Sequence, residues 1–305
     1  MNSKLKLSIS PHIHSGRSTS RIMLDVVLSL LPAAVAGVVI FGLRALLVLV
    51  VTMASCVGFE ALFNLITKRE QTVGDCSAMV TGLLLGLNLP ANIPLWQCVV
   101  GGFFAIVVVK CLFGGLGCNP VNPAITARVF MLIAFGAMTK AAFPDATSSA
   151  TPLASETAPE LLDLFLGRHG GAIGETCALA LLIGLTYLLI RRVITWHIPV
   201  AFVGTMFVAS FFMEGMDIMA ALSAILMGGL FIGAFFMATD YVTSPSTAWG
   251  KVIFGVGAGL ITFLIRYFGV YPEGVSFAIL FMNILTPYID SWTKHKIFGV
   301  GGKKA

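Results

Sequence analysis

The chain reads as an all-α integral membrane protein with about ten transmembrane helices in two inverted five-helix repeats, some helices short or broken. Three observations predict this. Of 305 residues, 57% are hydrophobic and 11% charged, against about 25% charged in soluble domains. Apolar segments recur along the whole length, most without the polar face of a helix packed on a soluble core. Finally, Asp75-Cys-Ser-Ala-Met-Val-Thr-Gly-Leu-Leu-Leu-Gly86 resembles Asp217-Ile-Met-Ala-Ala-Leu-Ser-Ala-Ile-Leu-Met-Gly228. A looser echo joins Asn122-Pro-Ala-Ile-Thr-Ala-Arg128 to Pro272-Glu-Gly-Val-Ser-Phe-Ala278. Five spans per repeat is an odd number, so the second repeat enters the bilayer inverted. Such repeats place a functional path near their interface. Chance similarity between Leu/Ala/Gly-rich segments is the competing explanation.

The elements follow in order. Residues 1–21 are polar and basic and form an N-terminal segment with no cleavage site after it, so the first apolar run reads as an uncleaved span. The first repeat, 22–138, contains spans Ile22–Phe41, Ala45–Ile66, Cys76–Leu89, Leu95–Lys110 and Ala124–Met138. A polar loop occupies 139–174. The second repeat, 175–291, contains Glu175–Ile190, Pro199–Phe212, Ile218–Thr239, Val252–Phe268 and Val275–Ser291, and a basic tail covers 292–305. The third, fifth and tenth spans fall short of the roughly 20 residues of an upright crossing. Their flanks (Pro90, Pro94, Asn119-Pro-Val-Asn-Pro123, Pro272) are rich in breakers, so these three are expected to be broken or partly buried.

Charge orients the chain. With the N-terminus in the cytoplasm, alternation puts 15 of the 19 Lys and Arg inside; Arg44, Lys140, Arg168 and Arg266 fall outside. Both termini are then cytoplasmic, the 139–174 loop is extracytoplasmic, and the chain sits as a multi-pass protein in the cell membrane. Trp196, Trp249 and Trp292 mark the inner interface and Trp96 the outer one. The net charge of +5 is this topology signal and implies no nucleic acid. The six Cys include no C-x-x-C pair and no iron–sulfur spacing, and read as packing residues; no metal site is expected.

The outer loop offers chemistry. Asp145-Ala-Thr-Ser-Ser-Ala-Thr151-Pro is hydroxyl-rich and flanked by small residues. Asp145-x-x-Ser148-x-Ala150-Thr151 matches the acceptor pattern of proteins that receive FMN from a flavin transferase. That chemistry needs an accessible hydroxyl, here Thr151, and small neighbours, here Ser148, Ser149 and Ala150, so that the segment can enter the transferase. The plain alternative is an exposed linker. Next in the chain, Gly170, Gly171 and Gly174 permit close backbone approach to a ligand. They precede the sixth span, whose N-terminus would favour an anion, with Glu175 in its first turn. A tight turn before a helix explains the same glycines. Asp25, Glu60, Asp75 and Arg128 lie at or within spans, where ionisable groups are costly unless paired. Asp25 can pair with Arg21, Asp75 can cap the third helix, and Arg128 can meet Asp75 or an anionic cofactor.

Four of these segments together carry a resemblance: Asp75 to Pro90, Asn119 to Phe130, Asp145 to Leu153, and Gly170-Gly-Ala-Ile-Gly-Glu-Thr176. In order and over essentially the whole chain, they are similar to the RnfD/NqrB family. That family includes the D subunit of the Rnf complex and the B subunit of the sodium-pumping NADH:quinone oxidoreductase. The length suits the former. The resemblance implies covalent FMN on Thr151, an optional bound riboflavin, and a ten-helix inverted-repeat fold like that of urea and ammonium channels. It also implies a ferredoxin:NAD+ oxidoreductase translocating Na+ or H+, with the A, B, C, E and G subunits as partners and a flavin transferase for maturation. The chain has no nucleotide-binding domain, so it does not turn over NAD alone. Ser149 stands where Gly is frequent in the acceptor pattern. The rival readings are a channel or solute transporter on the same repeat without a redox cofactor, and a scaffold for other redox subunits.

Overall fold

The computed structural model describes residues 18–135, 141–142, 148–149, 161–167, 169–269 and 274–294. Among them the chain is helical apart from a two-residue antiparallel ladder, Ala141–Ala142 with Ser148–Ser149. The helices are α1 (Thr19–Phe41), α2 (Leu43–Ile66), α3 (Ser77–Leu87), α4 (Leu95–Phe103), α5 (Pro123–Ala134), α6 (Leu161–Leu166), α7 (Ala178–Ile190), α8 (His197–Met213), α9 (Ile218–Leu226), α10 (Leu230–Ile232), α11 (Ala248–Phe268) and α12 (Val275–Thr293). α4 and α10 each continue into a π-helical stretch, Phe104–Cys111 and Gly233–Met237.

Four helices begin at side-chain caps that the sequence supplies. The Ser18 hydroxyl accepts from Arg21 N, Asn122 from Ala124 N and Ile125 N, Asp217 from Met219 N, and Thr247 from Gly250 N. Pro123 at the first turn of α5 needs no donor there.

Three helices, α1, α2 and α11, are long and apolar enough to cross a membrane on their own; α9 and α10 with its π-helical stretch make a fourth, bent by 67°. The outward faces are apolar too, with Val39, Leu65, Ile66 and Ile190 exposed. In water this surface would be untenable; against lipid it is the expected exterior. The chain is a multi-pass membrane protein.

Packing between helices uses small residues. α3 lays Gly82 and Gly86 on α2, and α11 lays Gly255 and Gly259 on α8. A Cβ at Gly82 would stand 2.8 Å from Met53 Cα, and one at Gly255 2.7 Å from Ala201 Cβ. Both are Gly-x-x-x-Gly contacts, which let backbones approach where lipid supplies no hydrophobic drive. α1 packs on α7 and α5 on α12.

One break was not expected. The tenth segment, expected to be broken or partly buried, runs unbroken for 19 residues despite Pro287 and is partly buried. The eighth, read as continuous over 218–239, is the interrupted one. Met227 is extended at ψ 139° and Gly228 has φ +71°, which no α-helix accommodates. The sixth span starts at Ala178 rather than Glu175, because residues 169–176 form a buried turn before the helix. α6, inside the polar loop, had no apolar run long enough to announce it.

Candidate functional site

The segment 169–176 folds back into the bundle. Its backbone is held by Ile173 N to Leu89 O (3.1 Å) and Gly174 N to Leu87 O (2.7 Å), at the C-terminal end of α3. A Cβ at Gly174 would lie 2.7 Å from Leu87 Cβ, so this glycine lets two backbones meet. Gly171 lies in the same buried turn. The ring nitrogens of His169 sit 3.0 and 3.1 Å from the carbonyls of Gly170 and Thr176, spanning the turn.

This fold-back delivers Glu175 to Arg128. Arg128 Nη2 lies 2.8 Å from Glu175 Oε1, with both side chains almost wholly buried. Arg128 Nη1 donates to Asn88 Oδ1, and Asn88 Nδ2 donates to Leu84 O at 2.7 Å. Gly229, in the α9–α10 break, closes the site: a Cβ there would fall 2.5 Å from Glu175 Oε1 and 3.2 Å from Arg128 Nη1. Four separate pieces of chain thus meet at one ion pair: the α3 end, α5, the turn before α7, and the break in the second half. Charge-assisted hydrogen bonds to both partners are what make such burial tolerable. The neighbouring Thr176 hydroxyl is buried without a partner among the described residues.

An asparagine array continues inward. Asn122 Nδ2 donates to Met237 O at 3.1 Å, in the π-helical stretch after α10. Asn283 of α12, oriented with its amide nitrogen toward Thr243 O (3.2 Å), accepts from Asn122 N at 3.1 Å. Side-chain amides here connect α5 to α12 and to the stretch after α10.

A second buried pair lies at the end of the bundle that carries the α1 N-terminus. Lys110 Nζ, from the π-helical stretch after α4, donates to both oxygens of Glu60 at 2.9 and 3.0 Å and to Ser77 Oγ at 2.6 Å. All three ammonium protons are used. Glu60 Oε1 also accepts from the Thr72 hydroxyl at 2.7 Å. Asp75 accepts from Ser77 N at 2.8 Å, at the start of α3. Lys110, Ser77, Asn119 and Asn122 line a cleft opening to this end, with mostly apolar walls that include Leu84 and Phe236; it encloses ≈ 730 Å³ counting its mouth. Asp240 stands at the rim. Burial raises its carboxyl above the usual range, while the Val242 amide and Thr243 hydroxyl pull it down. At the same end, Asp25 receives Arg191 Nη2 at 3.1 Å and the Tyr187 hydroxyl at 3.0 Å.

Of the residues singled out from sequence, Arg128, Gly171, Gly174 and Glu175 therefore share one buried locus. Asp145, Ala150 and Thr151 lie outside the described residues. Ser148 and Ser149 are described by backbone alone, as one side of the two-residue ladder. Sequence reasoning used Lys110 only as a topology charge and missed it as the partner of Glu60. It also passed over Asn88, Asn122 and Asn283 as chemistry, although an Asn inside an apolar run is itself a signal. Among the described residues no three His, Cys, Asp or Glu gather into a metal-binding group.

The family model described as the NQR2, RnfD, RnfE family matches residues 6–299. Three relatives are D subunits of named complexes. The chain is 48% identical over 309 residues to that of the Na(+)-translocating ferredoxin:NAD(+) oxidoreductase complex of Acetobacterium woodii, covering 97% of this chain and 96% of that protein. It is 40% identical over 316 residues to that of the proton-translocating ferredoxin:NAD(+) oxidoreductase complex of Clostridium ljungdahlii, covering 96% of each. It is 35% identical over 345 residues to that of the ion-translocating oxidoreductase complex of Cronobacter sakazakii, covering 96% of this chain and 99% of that one.

Proposed function

The chain belongs to the NQR2, RnfD, RnfE family, and from that premise we propose that it is the D subunit of an ion-translocating ferredoxin:NAD+ oxidoreductase. It is a membrane subunit of a redox-driven ion pump and works beside the other Rnf subunits. The observation that carries this reading is coverage: relatives with that name align from end to end. Two of them are named for different ions, Na+ and H+, so the coupling ion varies among close relatives.

We further propose that Thr151 carries FMN through a phosphoester. The support is the acceptor pattern Asp145-x-x-Ser148-x-Ala150-Thr151 in a loop of small residues. When bound, FMN supplies one-electron transfer. The chain's own part is positional. The Arg128–Glu175 pair anchors the C-terminal end of the loop to α3, α5 and the α9–α10 break, so displacement of the loop strains the centre of the bundle. Ten spans in two inverted repeats, with the loop extracytoplasmic, fit two features: the α1–α7 and α5–α12 contacts, and the bias of 15 of 19 basic residues to one side. A second, phosphate-free flavin such as riboflavin would suit the cleft between α1, α3, α5 and α7. Its walls are largely apolar, with Lys110, Ser77, Asn119 and Asn122 among the polar side chains of the lining.

The test uses the complex expressed with its transferase. Ultraviolet illumination of a denaturing gel is expected to show a fluorescent band for this protein that disappears in Thr151→Val. A dark wild-type band would favour a transporter or scaffold without flavin. An equal band in Thr151→Val would move the attachment to another hydroxyl.

A further inference from the structure

Three arginines line one pocket beside the cleft. Arg21 comes from the first turn of α1, and Arg191 and Arg192 from the turn that ends α7. Ile22, Asp25, Val193 and Tyr241 complete a lining around ≈ 690 Å³ of open space. Arg192 adopts φ +53°, the left-handed conformation that turns the chain between α7 and α8 and keeps two consecutive arginines at this pocket. The lining holds one carboxylate against three guanidiniums. Asp25 is engaged by Arg191, with both its oxygens at 3.1 Å from Nη2. The flanking segments 1–17 and 295–305 contain no Asp or Glu. Whatever hydrogen bonds the guanidiniums make, the lining carries two more positive charges than negative ones.

Depth narrows the class of anion that this charge attracts. Trp196, Trp249 and Trp292 are all more than half exposed, at the start of α8, the start of α11 and the end of α12. Lys251 Nζ reaches the Thr195 hydroxyl at 3.3 Å, and Thr247 and Thr293 hydroxyls meet at 2.6 Å, so these ends lie together; a neighbouring hollow lined by Thr195 and Lys251 shares Val193 and Tyr241 with the pocket. Exposed Trp at helix ends marks the level of lipid headgroups. Guanidinium forks match phosphate oxygens in pairs, which a hydrated ammonium does not.

We propose that this pocket binds the phosphate of an anionic membrane lipid, held by Arg21 and Arg192 with Arg191 fixed beside them by Asp25. Basic pockets between transmembrane helices are suited to such headgroups. The proposal does not depend on the flavin, and the closing experiment reads the two separately.

The intact complex, stripped in neutral detergent, is titrated with phosphatidylglycerol, phosphatidylcholine or inorganic phosphate, and bound lipid is counted by native mass spectrometry. Phosphatidylglycerol is expected to bind in preference to phosphatidylcholine, and to resist millimolar inorganic phosphate. Arg21→Gln and Arg192→Gln should each weaken it about five-fold; Arg21→Lys and Arg192→Lys should lose less, and Arg44→Gln at the opposite end nothing. Should Arg21→Gln fail to assemble, Arg192→Gln, in an exposed turn, carries the five-fold test. Equal binding of the two lipids, unchanged affinity in Arg192→Gln, or full displacement by inorganic phosphate overturns the proposal. Loss of another subunit from the variant complex at unchanged lipid affinity also overturns it, and assigns the arginines to an acidic protein surface. In-gel flavin fluorescence is expected to be the same in all these variants.

Discussion

Replacing Glu175 by Gln removes one charge from a pair whose side chains are 2% and 6% exposed. Gln is nearly isosteric, so Arg128 keeps an acceptor and loses its counter-ion. Opposite charges about 4 Å apart attract by about 4 kcal/mol at an effective dielectric near 20. Breaking a buried pair from one side costs about 3–5 kcal/mol, because the remaining charge stays desolvated. The neutral hydrogen bond that Gln retains returns about 1 kcal/mol. The expected loss for Glu175→Gln is therefore about 2–4 kcal/mol. Arg128→Met should cost a comparable amount, since it strands Glu175 and takes the donor from Asn88. Arg128→Met with Glu175→Gln together should cost clearly less than the sum, with a coupling of about 2 kcal/mol. Reversible unfolding of the four proteins by SDS in mixed micelles, followed by helical circular dichroism, measures this cycle. Two small, additive effects would refute the view that this pair holds the turn to the bundle.

Gly229→Ala places a methyl group 2.5 Å from Glu175 Oε1, so it should cost about 1–3 kcal/mol in the same assay, and a similar amount in the Glu175→Gln background, where the isosteric amide fills the same space. Lys110→Met leaves Glu60 buried without its cation; a loss of about 3–5 kcal/mol is expected, partly restored by adding Glu60→Gln. Gly259→Ala should pry α11 from α8, since the new Cβ would stand 2.8 Å from Thr205 Cβ; the thermal midpoint of the complex should fall, whereas Gly204→Ala, which meets nothing within 4 Å, should leave it unchanged. Asn122→Ala removes both the α5 cap and the bond to Met237 O, and at least about 1 kcal/mol should be lost.

Much of the fold was legible in the residues alone. Composition and apolar runs are one-dimensional quantities, and a membrane exterior imposes them directly on the sequence. Caps are local too: Asn122-Pro123 and Asp217 announce their helices within four residues. Breaks were less legible. Short length left a break or partial burial open for the tenth span, and Val275–Thr293 is continuous, while the eighth looked uniform and breaks at Gly228. A glycine in an apolar run has two uses, packing and turning. Gly255 and Gly228 look alike in sequence and are told apart only by their neighbours. The candidate site was half legible: Arg128 stood out as a charge within a span and Glu175 as a carboxylate beside the glycine turn, but nothing joined them.

The sequence by itself determined the medium, the helical class, the caps and the segments worth watching, because each depends on residues close together in the chain. Only the tertiary structure decided the pairings: Arg128 with Glu175, Lys110 with Glu60, Arg191 with Asp25. The partners stand 47, 50 and 166 positions apart. A buried charge demands a counter-charge, and nothing along the chain says which of several will arrive; that choice is made where helices cross.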